Sequence, residues 1–481
     1  MESICPLDVQ FAPEISALLQ SPPSHKAQEY FDNLIATRPC QGIKVKVDGD
    51  HGKGVYADAE FKEGELVLKD QMLLGSQHST NKMDCFVCGS CFRFIGSIEL
   101  QIGRKLYFQG LGVSSSNPCH SDSSDAEDDS CFIGDANLGE CSASSSNGKI
   151  PVSEEVVESL MNGQLVLPHS DKFSLPLPFP CSGGCGEENY CSKYCADIDW
   201  QNCHSLLCTG EKSKSSCRRA LSKFVEHAND TNDIFILAAK VIAMTSMRYK
   251  NLKEARLKEV GSVASNTATV DLSLLLEAWK PVSMGYKRRW WECIALPEDV
   301  DKCDEVDFRL QFKELAFESL QLLKAAIFDA ECAPLFSLEI YGQIIGMFEL
   351  NNLDLVVASP VEDYFLYVDD LPQSPRKEVE AVTRPILEAL DDDYPIYCQG
   401  TAFFPLQSCM NHSCCPNAKA FKRENDRDGQ ATIVAITPIR IGEQVTISYI
   451  DEELPYEERQ KLLADYGFRC KCSKCMDEKV N

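Results

Sequence analysis

The feature that most constrains the fold is a short polar loop followed by a strand. Residues 411–417 read Asn-His-Ser-Cys-Cys-Pro-Asn, a polar run closed by proline that predicts a loop. Farther on, Val445, Ile447 and Tyr449 alternate with polar residues, which predicts a half-buried strand with Tyr449 on its core face. A tyrosine at a strand end is more often structural than functional when it is taken alone. The loop, the strand and their spacing together favour a functional site.

This segment resembles the C-terminal half of a SET methyltransferase domain, which has Asn-His-Ser-Cys-x-Pro-Asn and then Gly-Glu, five residues and Tyr. The resemblance implies an α+β fold of several small sheets. It implies that Tyr449 is catalytic, with its hydroxyl at the end of a lysine channel. It further implies that Asn411 and His412 hold S-adenosylmethionine, that Phe468 contributes to the cofactor pocket and that Tyr466 lines the lysine channel.

A glycine-rich turn near the N-terminal end supports the same resemblance. Residues 49–54 read Gly-Asp-His-Gly-Lys-Gly and follow a predicted strand. A dinucleotide-binding loop is excluded because residues 55–57 continue as a strand, whereas such a loop opens a helix. In SET domains a similar turn lies near the methionine end of the cofactor, so the resemblance makes His51 and Lys53 candidate cofactor neighbours.

Two distant segments have the same pattern. Residues 57–67 and 435–445 both look like a strand, a Gly-Glu turn and a second strand, at equal spacing. Two such hairpins far apart in the chain predict one small-sheet domain that is interrupted in the middle.

The number of cysteines indicates the chemistry of the segment that interrupts this domain. The chain begins without a basic start or an apolar run, so we expect an intracellular protein. Its 25 cysteines are then better explained as zinc ligands and buried thiols than as a disulfide framework.

The second half of the cysteine cluster closely resembles the end of a MYND zinc finger. Residues 190–208 read Tyr-Cys-Ser-x2-Cys-x4-Trp-x3-His-x3-Cys. Two tetrahedral zinc sites need eight soft ligands, which seven cysteines and one histidine supply. The resemblance implies two cross-braced sites, one of Cys85, Cys88, Cys191 and Cys195 and one of Cys181, Cys185, His204 and Cys208. Cys91 is an alternative zinc ligand to Cys88, and Cys203 is an alternative to the ligands beside it. The spacing of the cysteines favours the eight ligands given.

The predicted finger contains a long insertion. More than ninety residues separate Cys88 from Cys181, and those at about 112–150 are rich in Ser and Asp with few large apolar residues. Such a segment is expected to be disordered because it cannot bury enough apolar surface to offset its chain entropy. The insertion is tolerable because closure entropy grows slowly with loop length.

A third zinc site is predicted at the C-terminal end. Cys470, Cys472 and Cys475 leave a tetrahedral site one ligand short. By resemblance to post-SET segments, Cys414 of the polar loop supplies the fourth ligand, with Cys415 as the rival. Three zinc ions are therefore expected.

The middle of the chain is predicted to be helical. The apolar stripe at residues 308–326 has helical spacing and indicates a core face. By resemblance this part is the helical SET insertion, and Asn351, after the helical run 341–348, contacts the cofactor. A helix-terminating asparagine is the alternative for Asn351. Trp290 and Trp291 beside three cations would suit nucleic-acid contacts, but so few cations in so acidic a chain disfavour them.

Charge limits the partners. The chain has 47 Lys and Arg against 73 Asp and Glu, a net charge of −26, which does not suit sequence-independent binding of DNA phosphates. It suits a basic peptide such as a histone tail, although a solubilising surface is an equal explanation for most of the charge. The most apolar helical stretch, residues 234–244, is too short to span a membrane.

The resemblance covers nearly the whole chain and is closest to the plant trithorax-related SET proteins with an embedded MYND finger, the ATXR type, which are similar to the SET-and-MYND (SMYD) family. It implies a monomeric histone-lysine methyltransferase acting in chromatin and transcription regulation, in the nucleus, with the cytoplasm as the alternative location. A recruitment module with an idle SET fold, binding partners through the finger, and a methyltransferase of a non-histone protein are the alternatives. The domain limits expected are an N-terminal extension (1–40), the first SET part (41–84), the finger (85–208), the helical insertion (209–335), the catalytic SET part (336–451) and the post-SET segment (452–481).

Overall fold

The chain is described by a computed structural model. It covers residues 5–38, 41–49, 52–111, 152–260, 270–297, 300–301, 303–390, 396–422 and 426–479. His51 and the segment of about 112–150, for which disorder was expected, lie outside the described residues.

The expected α+β fold with several small sheets is confirmed. Among the described residues the strands are β1 (Ile43–Gly49), β2 (Gly52–Ala57), β3 (Leu66–Asp70), β4 (Leu74–Gln77), β5 (Phe179–Pro180), β6 (Asn189–Tyr190), β7 (Asn352–Ala358), β8 (Tyr397–Phe403), β9 (Asn411–His412), β10 (Ala418–Ala420), β11 (Ala431–Ala435) and β12 (Gln444–Ile447). They form sheets of order β1-β2-β12-β9, β10-β11-β3, β4-β8-β7 and β5-β6. The first three sheets join strands from opposite ends of the chain.

The two hairpin-like segments predicted from the repeated pattern pair with each other about a local two-fold axis. Their backbone hydrogen bonds come in matched pairs. The Ala57 N–H donates to the Glu443 carbonyl (2.9 Å), and the equivalent Ala435 N–H donates to the Glu65 carbonyl (3.0 Å). The Gly442 N–H donates to the Ala57 carbonyl and the Gly64 N–H to the Ala435 carbonyl (2.8 Å each), and Phe61 and Ile439 exchange two bonds of 2.9 Å. The equal spacing in sequence therefore reflects equal roles in the fold.

The turns of these two segments are built alike. Gly64 and Gly442 have φ of 80° and 84°, in the left-handed region that disfavours a side chain. The carboxylates of Glu65 and Glu443 each accept the backbone N–H three residues earlier, at 2.8 and 3.0 Å. Each turn is thus closed by its own glycine and glutamate.

Helices account for the rest of the described fold. The helices are α1 (Pro6–Gln10), α2 (Ala12–Leu19), α3 (Ser24–Ala36), α4 (Ile98–Gly110), α5 (Glu154–Met161), α6 (Lys193–Asp199), α7 (Ser205–Leu207), α8 (Arg218–Thr231), α9 (Ile234–Val260), α10 (Leu272–Ser283), α11 (Trp290–Cys293), α12 (Glu305–Ile327), α13 (Leu338–Asn351), α14 (Pro360–Asp369), α15 (Gln373–Leu390), α16 (Tyr456–Asp465) and α17 (Ser473–Glu478). Short 3₁₀ turns lie at Ser170–Phe173, Ala330–Phe336 and Gln407–Cys409, and a π-helical turn at Trp200–His204. None of the helices within the described ranges is long and apolar enough to cross a membrane.

The largest apolar core lies among α8 to α13. Ser319 and Ala326 of the predicted α12 stripe are fully buried there, and Phe308 and Phe312 pack against its edge. Trp290 and Trp291 are buried in the same core, so their rings cannot stack on nucleic-acid bases.

A second helical cluster was not predicted. Helices α4 and α5, on either side of the undescribed segment 112–151, pack against each other and with α14 and α15. Their apolar side chains form a separate core, so residues near both ends of the long insertion are ordered parts of the fold.

We expect Gly64→Ala and Gly442→Ala to destabilise the protein by similar amounts. A Cβ at either position meets open space, so the cost is the left-handed backbone alone, roughly 1–2 kcal/mol. Thermal unfolding midpoints measure the effect. Gly110→Ala, at the end of α4 and also in open space, is the control and should be neutral or slightly stabilising. Unequal losses for the two turn glycines would contradict the equivalence of the turns.

Candidate cofactor site and metal clusters

The candidate cofactor loop begins at the 3₁₀ turn Gln407–Cys409 and continues into β9. Asn411 and His412 of β9 pair in parallel with β12. The side-chain amide of Asn411 donates from Nδ2 to the carbonyl oxygen of Lys53, at 3.0 Å. The structure therefore brings the glycine-rich turn of β2 and the polar loop together, although they are far apart in the chain.

Aromatic rings surround the end of β12. The ring of Tyr449 lies 5.2 Å from that of Tyr466, 5.4 Å from His412 and 6.4 Å from Phe468, between centroids. The Phe468 ring is also 5.9 Å from His412 and is 37% exposed. Four residues that the sequence singled out thus form one partly open aromatic group.

The hydroxyl of Tyr449 is held in one direction. It donates to the carbonyl oxygen of Met410, immediately before Asn411. Burial, with smaller contributions from Tyr466 and Cys409, raises the pKa of the Tyr449 hydroxyl well above its usual value. The hydroxyl therefore stays protonated at neutral pH and can orient a ligand but cannot act as a base.

The His412 side chain has a role that the sequence did not indicate. Its Nδ1 accepts the backbone N–H of Tyr449 at 3.1 Å, so in the neutral ring the proton lies on Nε2, which is 3.2 Å from Cys414 Sγ. Burial, and secondarily the positive charge of Arg459, lowers the pKa of His412 to about 4. The imidazole therefore links the strand end that bears Tyr449 to a cysteine cluster.

Asn351 uses its side chain within the protein. Its Oδ1 accepts the Tyr286 N–H at 3.2 Å, and its Nδ2 donates to the carbonyl oxygens of Tyr286 (2.7 Å) and Met347 (2.8 Å). It thereby fixes the backbone immediately before Lys287. A direct cofactor contact of Asn351 stays a prediction.

Two lysines meet near the loop. Lys53 and Lys287 are close enough for their charges to repel, and neither forms an ion pair with a described carboxylate. Burial, and then the charge of Lys53, lowers the pKa of Lys287 to about 7. The Lys287 ammonium donates to the Gly285 carbonyl at 2.8 Å. In so acidic a chain, two cations without a carboxylate partner at one place can receive an anionic group of a ligand. Lys287 could not be found from the sequence because only the fold brings it near Lys53.

The structure gathers metal-binding side chains into three groups of four within the described residues. In each group the sulfur and nitrogen atoms lie within 4.8 Å of one another. The groups are Cys88, Cys91, Cys191 and Cys195; Cys181, Cys185, His204 and Cys208; and Cys414, Cys470, Cys472 and Cys475.

The first group corrects one expected ligand. Cys91 belongs to it and Cys85 does not, because the chain turns back after Cys88: the Phe92 N–H donates to the Cys88 carbonyl at 2.9 Å, and Phe92 has a φ of 58°. Cys85 instead lies in an apolar core, where its thiol donates to the Tyr397 carbonyl at 3.5 Å. The expectation that spacing disfavours Cys91 was wrong, because Cys85 and Cys91 both lie three residues from Cys88.

The other two groups contain the residues expected. In the second group Cys181 Sγ lies 3.1 Å from His204 Nε2 and 3.8 Å from Cys208 Sγ. In the third, Cys414 Sγ lies 3.5 Å from Cys475 Sγ, whereas the rival Cys415 is exposed.

These distances suit a tetrahedral metal. With Zn–S bonds of about 2.3 Å, ligand sulfurs lie about 3.8 Å apart. Backbone N–H groups of Gly183 and Gly210 point at the sulfurs of Cys181 and Cys208, at 3.2 and 3.4 Å, as they do around metal-bound thiolates. Each group can therefore hold one zinc ion.

Substituting the first group distinguishes the two rival cysteines. We expect Cys91→Ser to lower the bound zinc by one ion per chain, because a tetrahedral site with three thiolates binds far more weakly. Cys85→Ala, which removes only a buried thiol, should leave the zinc content unchanged. Metal analysis of the purified proteins measures both. Loss of zinc in Cys85→Ala alone would refute the assignment of Cys91.

Comparisons with known proteins agree with this architecture. The family model described as SET domain matches residues 297–450. The histone-lysine N-methyltransferase ATXR2 of Arabidopsis thaliana is 63% identical over 478 residues, which is 99% of both chains. The protein-lysine N-trimethyltransferase SMYD5 of Danio rerio is 33% identical over 455 residues, 91% of this chain and 88% of that one. SMYD5 of Gallus gallus is 24% identical over 342 residues, 68% of this chain and 73% of that one. The chain therefore belongs to the ATXR type of SET-domain proteins, which is related to the SMYD proteins.

Proposed function

We propose that this protein is a histone-lysine N-methyltransferase that uses S-adenosylmethionine, as SET methyltransferases do. The observation that carries the proposal is the half-buried Tyr449, whose protonated hydroxyl is fixed by Met410 next to Asn411 and His412 and whose ring lies among other aromatic rings. The name of the Arabidopsis relative, which matches over the full length of this chain, supports the same reaction.

The residues of the site suit two charged groups of this cofactor. S-adenosylmethionine supplies a methyl group on a sulfonium, and its methionine part also has a carboxylate beside an ammonium. The rings of Tyr449, Tyr466 and Phe468 favour a cation near them. Lys53 and Lys287 favour the carboxylate. Asn411, His412 and Asn351 complete the proposed cofactor contacts. His51 is proposed from the family resemblance alone.

Positioning is the chief contribution of this chain to the reaction. Methyl transfer requires an attacking amine that is neutral and in line with the methyl group. A narrow aromatic channel formed by Tyr449 and Tyr466 desolvates a lysine side chain, which lowers its pKa and favours the neutral amine. The Tyr449 hydroxyl, which keeps its proton, orients the groups that meet at the channel end.

The partners follow from charge and family. We propose that the substrate is a basic peptide, a histone tail, because the chain has a net charge of −26. We also propose three zinc ions, one in each group of four ligands, a nuclear location and a monomeric state. The expected domain limits and a further protein partner for the finger belong to the same proposal.

We expect Tyr449→Phe to lower kcat for histone methylation by roughly 100-fold with little change in cofactor affinity, because it removes one orienting hydroxyl from the reacting groups. Transfer of labelled methyl to core histones and to a nuclear extract measures turnover, and calorimetry measures cofactor binding.

Tyr364→Phe is the matched control. Its hydroxyl also donates to a backbone carbonyl, that of Pro168 at 3.0 Å, but in the second helical core. It should keep full activity. Equal losses of turnover and cofactor affinity in Tyr449→Phe would contradict the role of Tyr449. Labelling of extract proteins without histones would move the substrate to another protein.

Cofactor affinity should depend on the charge of Lys287. Because the pKa of Lys287 is about 7 in the free protein, binding of a carboxylate at higher pH requires proton uptake. We expect the dissociation constant to rise with pH above about 7, by up to about tenfold per pH unit. Calorimetric titrations across this range measure the effect.

Lys287→Arg should keep tight binding at high pH, since arginine stays charged. Lys287→Met should bind weakly at every pH, and Lys280→Met is the control. Ionisation of the cofactor's own groups affects the wild type and all three variants equally. Differences among their pH profiles of cofactor affinity therefore report on Lys287. Identical pH profiles for Lys287→Arg and the wild type would contradict the proposed contact.

A further inference from the structure

Asp70 is a buried carboxylate that lies beneath the candidate cofactor loop. It is the last residue of β3 and is fully buried. Its Oδ2 accepts two backbone N–H groups, those of Leu406 at 2.7 Å and Gln407 at 3.1 Å. Both donors lie at the start of the 3₁₀ turn Gln407–Cys409, whose first residues have no side-chain cap of their own. Asp70 therefore caps this turn from a distant part of the chain.

The carboxylate is costly to bury in this place. Its other oxygen, Oδ1, is buried without a hydrogen-bond partner. Burial raises the pKa of Asp70 to about 6, although the N–H groups of Gln407 and Leu406 and the positive charge of Arg38 lower it. The neighbouring titratable groups are Tyr30 of α3 and the buried thiol of Cys409. A buried charge without an ion-pair partner costs free energy of folding. Such a charge is tolerated where it holds backbone groups that apolar packing would not restrain.

The capped turn leads directly to the reacting groups. It ends one residue before Met410, whose carbonyl oxygen receives the Tyr449 hydroxyl. The next residue, Asn411, anchors the glycine-rich turn through Lys53. A shift of the turn would move both of these contacts, because the Met410 N–H donates to the Gln407 carbonyl at 2.8 Å and so ties Met410 to the turn.

We propose that Asp70 is a positioning residue of the methyl-transfer site: by fixing the turn Gln407–Cys409 it sets the place of Met410 and hence the direction of the Tyr449 hydroxyl. The kinetic part rests on the proposed function. Asp70 touches neither ligand nor reacting atoms and acts through the turn alone.

Three substitutions separate its possible roles. Asp70→Asn keeps an acceptor oxygen for the two N–H groups, so it should retain kcat within about threefold. Asp70→Ala removes the acceptor, and Asp70→Glu moves it by one methylene. Both should lower kcat by tenfold or more, while the KM for peptide changes less than about twofold. Rescue by the neutral amide would show that the acceptor, not the charge, is needed.

Asp426 provides the matched control. It is equally buried, and it binds Lys69 at 2.7 Å and Thr432 at 3.2 Å in the same sheet, away from the turn. Asp426→Ala should lose stability but keep kcat at a temperature well below unfolding. A tenfold loss of kcat in Asp426→Ala would show that any damage to this sheet suffices, and it would overturn the proposal.

Amide hydrogen exchange tests the same contact without turnover. Exchange at Leu406 and Gln407 should quicken by tenfold or more in Asp70→Ala and Asp70→Glu, and stay near the wild-type rate in Asp70→Asn and Asp426→Ala. Unchanged exchange together with unchanged kcat in Asp70→Glu would overturn the proposal, even if Asp70→Ala does not fold. If the wild-type protein transfers no methyl group, the proposed function fails, whereas exchange and S-adenosylmethionine binding still decide the role of Asp70.

Discussion

The fold depends on the mutual pairing of two hairpins from opposite ends of the chain. Because Ala57 and Ala435 exchange backbone bonds with each other's turns, all residues between them form one closed loop. The entropy of closing such a loop rises only slowly with its length, so large insertions add little to that cost. This explains how a cysteine-rich segment and two helical cores fit between the halves of one small-sheet domain.

The candidate cofactor loop is restrained at both ends by groups that are buried and polar. Asp70 accepts the N–H groups of the turn that precedes it. At the other end Cys414 belongs to a cysteine cluster, and the imidazole of His412 connects that cluster to the backbone of Tyr449. A metal held by that cluster would therefore be linked to the aromatic group through the imidazole of His412 and through the packing of Tyr449 and Tyr466 against the cluster.

Local patterns in the sequence predicted the parts that local physics determines. Alternation predicted β12 and the apolar stripe predicted α12, whereas the family resemblance implied two of the three ligand groups with the residues that the structure brings together. Spacing did not identify Cys91, because Cys85 and Cys91 lie equally far from Cys88 and only the folded turn from Cys88 to Phe92 brings Cys91 into the group.

Contacts between residues far apart in the chain could not be predicted from the sequence, for a different reason. The approach of Lys287 to Lys53 and the capping of a distant turn by Asp70 have no periodicity or spacing to indicate them. Helices α4 and α5 were not predicted, because the Ser- and Asp-rich composition of the segment between them was taken to describe its flanks as well. Composition describes the middle of an insertion and not the flanks that pack against the rest of the protein.

Charge distribution across the site favours one direction for the proposed ligand. The rings of Tyr449, Tyr466 and Phe468 favour positive charge, whereas Lys53 and Lys287 favour negative charge. In the proposed complex a ligand with a sulfonium and a carboxylate gains from both interactions when its methyl group faces Tyr449. The reversed ligand would place its sulfonium beside the lysines, so the two lysines would disfavour that orientation.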